Sequence, residues 1–116
     1  MTILYGISNC DTVRKARNWL DAHGIAHRFH DFRADGLTAA RVAAWVDARG
    51  WDALLNRRST TWRQLDADLR AAIGAATAPA LLLAQPTLIR RPVLEHDGAV
   101  YLGFDPEPYR LIFRAG

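Results

Sequence analysis

Residues 2–32 change hydrophobic period twice, and no other feature limits the topology of this chain so much. Thr2-Ile3-Leu4-Tyr5 is a short apolar run of the buried-strand type, and Gly6 to Asn9 reads as the loop that follows it. Val13, Ala16 and Leu20 then recur at helical spacing, with Trp19 beside them, until His23-Gly24 stops the run. Asn9 or Asp11 is the predicted helix cap. Ile25 to Phe32 alternates in the manner of a second strand. A strand, helix and strand in this order form a right-handed crossover, which makes the two strands parallel neighbours.

The next segments are helical in pattern. Thr38 is positioned to cap a helix carrying Val42, Trp45 and Val46 on one stripe, ending at Gly50. Trp51 to Leu55, Leu65 to Ile73 and Ala78 to Ala84 read as three shorter helices, separated by a polar loop over Asn56 to Thr61 and by Gly74. Beyond Pro86 the pattern changes to strand at Thr87-Leu88-Ile89 and Val93-Leu94-Glu95. His96-Asp97-Gly98 is a hairpin turn, with Val100-Tyr101-Leu102 returning from it. Pro106 opens a last helix to Arg114, with Tyr109, Ile112 and Phe113 on one face.

The order βαβ, helices, ββα predicts an α/β fold with a mixed sheet. It resembles the thioredoxin fold with a helical insertion at about 37–85. A length of 116 residues suits one domain, and no repeat or linker divides it, so residues 1–116 are expected to form a single domain.

Composition removes several functional classes. A 50% hydrophobic and 23% charged chain has the balance of a soluble globular protein. No apolar run is long enough to cross a bilayer, and the start lacks the pattern of a signal peptide, so a cytoplasmic protein without membrane contact is expected. The net charge of +3 is spread among interspersed acidic and basic residues, which argues for a solvated surface and against nucleic-acid binding. The single cysteine cannot form an internal disulfide, and neither it nor His23, His27, His30 and His96 show metal-ligand spacing, so no metal is expected. Asp31 and Arg33 are expected to pair or to hold the loop after the second strand.

That cysteine, Cys10, falls at the head of the first helix, where unpaired backbone N–H groups and the helix dipole favour a thiolate. Arg14, Lys15 and Arg17 add positive charge, and Ser8, Asn9 and Thr12 are potential hydrogen-bond donors to sulfur or to a bound anion. Asp11 works against the thiolate while favouring the helix start. Val13 stands where a C-x-x-C motif would have its second thiol, so this is a monothiol site. A second signal is Arg91-Pro92 at the entry to an apolar strand, where proline belongs only at a strand start or tight turn and a cis bond would account for it.

Together, LYGISNCDTVRKARNWL, HDFRADGL, LLNRRSTTWRQL, QPTLIRRPVLE and YLGF resemble the ArsC-like family of arsenate reductases and Spx proteins, closest to its YffB branch. The resemblance implies Cys10 as nucleophile and Arg91-Pro92 as an anion-binding arginine followed by cis-proline. Arg14 is retained, whereas two further oxyanion-binding arginines of the reductases fall at Asn56, with Arg57 and Arg58 just after it, and at Phe104. A missing guanidinium fork removes a bidentate oxyanion donor.

The expected activity is therefore a glutathione-dependent monothiol reductase with catalytic Cys10 and substrate contacts from Asn9, Thr12, Arg14, Arg57, Arg58, Arg91 and Pro92. Trp62 would border the site. No cofactor is expected to stay bound; glutathione is the co-substrate and glutaredoxin a further partner. Arsenate reduction coupled to glutathione and glutaredoxin, and Spx-like binding to RNA polymerase through the basic helix, are the competing readings.

Overall fold

The computed structural model describes residues 1–114, which fall into two compact units. One comprises Met1–Asp35 with the described residues from Arg91 onward, and the other Gly36–Arg90.

The first unit holds a four-stranded sheet in the order β2-β1-β3-β4, formed by β1 (Thr2–Gly6), β2 (Arg28–Asp31), β3 (Val93–His96) and β4 (Ala99–Leu102). β1 and β2 are parallel, from Ile3 opposite Arg28 to Gly6 opposite Asp31. β3 runs antiparallel to both β1 and β4. The sheet is thus mixed, as expected for the thioredoxin-like arrangement. The β3–β4 turn has positive φ at Asp97 (49°) and Gly98 (81°), the two-residue geometry that suits a twisted hairpin.

α1 (Asp11–Ala22) crosses between β1 and β2, and α7 (Pro106–Phe113) follows β4. Val13, Ala16 and Leu20 are the buried positions of α1, and Tyr109 is that of α7. Leu4, Ala16, Leu20, Leu94 and Tyr109 form one buried cluster, with Trp19, Phe29, Phe104 and Phe113 packed against it. Asp105 caps α7 by accepting the Glu107 N–H.

β2 is shorter than the expected 25–32. α1 ends in a Schellman turn, with Gly24 at φ +66° donating to the Asp21 carbonyl and Ile25 N–H donating to that of Leu20 at 3.0 Å. These bonds hold Ile25 in the helix terminus, so the strand starts only at Arg28.

The second unit contains α2 (Ala39–Arg49), α3 (Trp51–Leu54), α4 (Thr60–Gln64), α5 (Ala67–Ala71) and α6 (Ala78–Ala84). Val42, Trp45, Leu54, Leu55, Ala78, Leu82, Leu88 and Ile89 are buried. Thr38 caps α2 as expected, accepting the Arg41 N–H at 3.2 Å. Two expectations fail here. The loop 56–61 gives way to α4 because Ser59 caps it, accepting the Trp62 N–H at 3.1 Å. Thr87-Leu88-Ile89 is not a strand: Pro86–Leu88 is a 3₁₀ turn, and Ile89 makes one isolated bridge to Leu55. Proline at the first position suits a helical turn and supplies no ladder donor.

Candidate active site around Cys10

The sheet register brings the two sequence signals together. Tyr5 of β1 is opposite Val93 of β3, so the chain leaving β1 through Gly6 passes the segment Arg91-Pro92 that enters β3. The Arg91–Pro92 peptide is cis, and the Pro92 carbonyl accepts the Gly103 N–H at 2.9 Å, joining the end of β4 to the same edge of the sheet. Pro92 is buried and Arg91 half-buried. The Arg91 Nε is buried and has no hydrogen-bond partner. A guanidinium N–H in that state is unfavourable until an acceptor meets it.

Cys10 is itself the N-cap of α1, in place of the expected Asn9 or Asp11. Its backbone is extended (φ −101°, ψ 126°), its N–H donates to the Ile7 carbonyl at 3.2 Å, and its carbonyl receives the Arg14 N–H at 2.9 Å. The side chain makes no capping bond, and the thiol is free and half-buried. The sulfur is therefore at the mouth of a 12-residue helix without being engaged by it.

Gly6 sets the helix against the strand. A Cβ at this position would lie 2.6 Å from Val13 Cγ2, so α1 packs on the strand end at a distance that only glycine permits. Val13, in the place of a second thiol, is fully buried there. Its signal, a glycine at a strand end with valine seven residues on, carried no chemical meaning in the sequence.

Neighbouring polar groups divide into engaged and exposed. Asn9 and Thr12 are exposed beside Cys10. Arg14 turns along the helix to Asp11, with Nη1 2.8 Å from Oδ1, and this exposed pair is weak enough for a ligand to replace. Arg17 covers the Phe29 ring at 4.2 Å. Ser8 is tied to Asp31, whose carboxylate Oδ2 accepts the Ser8 N–H at 3.2 Å. Asp31 holds the loop after β2 through the backbone N–H of Arg33 and Ala34. Partial burial pushes its carboxyl up, but hydrogen bonds from Arg33, Ala34 and Ser8 together outweigh this and hold it below the usual aspartate value. Sequence reasoning missed the bond from Asp31 to Ser8, which no local pattern announces.

The remaining candidates are in the second unit. Arg57 Nη2 is 2.7 Å from Asp52 Oδ1, and its guanidinium is 5.8 Å from the ring centres of both Trp51 and Trp62. Arg58 is exposed, its backbone N–H donating to Asn56 Oδ1 at 3.1 Å. Asn56 is thereby a turn residue, and its N–H also donates to the Leu88 carbonyl. Trp62 is half-buried. In the first unit, Phe104 packs edge-on to Tyr109 with ring centres 4.7 Å apart. His23, His27 and His96 are used in structural hydrogen bonds to Trp19, Ile25 and Thr2. No helix among the described residues is long and apolar enough to cross a membrane.

Known proteins share this fold. The solved structure of the YffB protein superimposes with a TM-score of 0.91 at 45% identity, covering 96% of this chain and 97% of that one. An arsenate reductase (ArsC) related protein from Brucella melitensis gives a TM-score of 0.79 at 46% identity, over 97% and 94% of the two chains. An uncharacterised protein of Haemophilus influenzae is 44% identical over 97% of this chain and 99% of its own. More distantly, the global transcriptional regulator Spx of Listeria innocua is 26% identical over 95% of this chain and 85% of its own. The ArsC family profile matches residues 5–112, from within β1 to the last turn of α7, and the chain belongs to the ArsC family.

Proposed function

We propose that the protein is a glutathione-dependent thiol reductase in which Cys10, the single cysteine of the chain, is the nucleophile. The Cys10 thiolate attacks the glutathione sulfur of a mixed disulfide between glutathione and a second thiol. An S–S bond to Cys10 forms, the old one breaks, and the second thiol leaves as its thiolate. A glutathione thiolate then attacks the glutathione sulfur on Cys10, giving oxidised glutathione and restoring the Cys10 thiolate. The net electrons come from glutathione, and no second protein thiol is needed.

The observation that carries this reading is the unpaired, buried Nε of Arg91 at the sheet end where the uncapped Cys10 emerges. A carboxylate of glutathione satisfies that donor, while the backbone of Arg91, just ahead of Pro92, would pair with a peptide-like thiol. The site is poorer in donors for arsenate, since Phe104, at a position where the resemblance implies an arginine, is spent on packing against Tyr109. An Spx-type cysteine pair would need a thiol at Val13, which packs on Gly6 instead.

Incubation with oxidised glutathione should add one glutathione to the intact mass, and reduced glutathione should remove it. Arg91→Ala should raise the glutathione concentration for half-maximal rate by about tenfold or more, the worth of a charge-assisted hydrogen bond. A protein that takes up no adduct, or a Cys10→Ser variant that still does, would falsify the reading.

A further inference from the structure

Asp31 ends β2 opposite Gly6, and its two carboxylate oxygens act on different parts of the chain. Oδ1 accepts the N–H groups of Arg33 (2.7 Å) and Ala34 (3.2 Å), which closes the turn after its own strand. Oδ2 accepts the Ser8 N–H at 3.2 Å, from the separate loop that ends at Cys10. Asp31 is itself held by Asp35, whose Oδ2 accepts the Asp31 N–H (3.0 Å) and whose N–H donates to the Asp31 carbonyl (2.8 Å). The neighbouring Phe32 N–H reaches the Gly6 carbonyl at 2.9 Å, so the chain approaching Cys10 is tied to the end of β2 at both Gly6 and Ser8.

A turn requires only Oδ1. The bond to Ser8 is additional, and it holds a negative charge against a residue two positions before a cysteine that must itself become negative, which is unfavourable electrostatically. We propose that Asp31 is a positioning residue for Cys10: by holding Ser8 it fixes the short turn that sets the sulfur at the head of α1. The inference rests on Cys10 being the reacting group, and its sign differs from that of a charge effect. Loss of a carboxylate acting only through charge favours the thiolate and speeds its reaction, whereas loss of a clamp slows it.

Two variants separate these effects. Asp31→Asn is isosteric but has one oxygen acceptor for two sets of donors, and Asp31→Glu keeps the charge but displaces it by a methylene. The rate of Cys10 alkylation by iodoacetamide at neutral pH is compared at matched folded fraction, read by circular dichroism. Both variants should react about threefold more slowly or worse, since small displacements of a reacting group carry large rate costs. An Asn variant as fast as the native protein or faster, or a Glu variant equal to it, overturns the proposal.

A measurement on the native protein guards against misfolded variants. As pH falls below about 4, the amide resonances of Ser8, Arg33 and Ala34 should shift with one common midpoint as Asp31 protonates, and that of Cys10 should follow. A Ser8 or Cys10 amide that ignores this midpoint also overturns the clamp. Alkylation needs no glutathione, so a Cys10 that is alkylated normally but forms no glutathione adduct defeats the proposed reaction alone.

Discussion

Tyr109 is 2% exposed and its hydroxyl has no hydrogen-bond partner, although its ring is central to the aromatic cluster with Trp19, Phe104 and Phe113. A buried hydroxyl without a partner costs about 1–3 kcal/mol, so Tyr109→Phe should raise the thermal midpoint by a few degrees. Burial also pushes the phenol well above its ordinary value. Between the unfolded value near 10 and the raised folded one, the unfolded chain binds fewer protons, so stability falls as pH rises through that window. The difference in midpoint between Tyr109→Phe and the native protein should therefore widen above pH 10; a constant difference would refute the assignment. At this scale residue type and position single out Cys10 and Arg91 as candidates. Asp31 was legible only as a loop anchor, because its partner Ser8 is brought to it by the parallel pairing of β1 and β2 and by nothing local.

The β1–α1 junction rests on the contact between Gly6 and Val13. Gly6→Ala would force a methyl to within 2.6 Å of a β-branched side chain with little rotamer freedom, so the helix must shift. The expected cost is about 1–3 kcal/mol in urea unfolding, with a slower reaction of Cys10. Val13→Ala in the same chain should return part of that loss, and a double-mutant cycle showing no coupling would disprove the contact. α1 was readable because its apolar face persists over 12 residues and ends at a glycine turn. α4 was not, since its 5 residues are too few to show a period and its start depends on the side chain of Ser59. The run Thr87-Leu88-Ile89 has strand-like composition, yet Pro86 begins a helical turn there.

In the whole molecule, the order of strands and helices around the sheet could be read because α1 repeats its buried positions at helical spacing and the strands lie between turn signals. The second unit was less legible: apart from α2, its helices have 4 to 7 residues, and their boundaries depend on caps and turns. The candidate site could be read only as two separate signals, Cys10 and Arg91-Pro92, and the sheet register brings those two chain segments to the same end of the sheet. The uncapped thiol at the head of α1 also bears on the stability of the folded chain. Serine is among the best N-cap residues and cysteine here caps nothing, so Cys10→Ser should give a protein more stable than the native one, by about 1 kcal/mol. The customary inactive control would then melt at a higher temperature than the protein it controls for. A midpoint equal to or below the native one would show that the hydroxyl does not reach the helix amides. Under the proposed function the native cysteine is an instance of stability given up for reactivity, measurable by exchanging a single sulfur atom for oxygen.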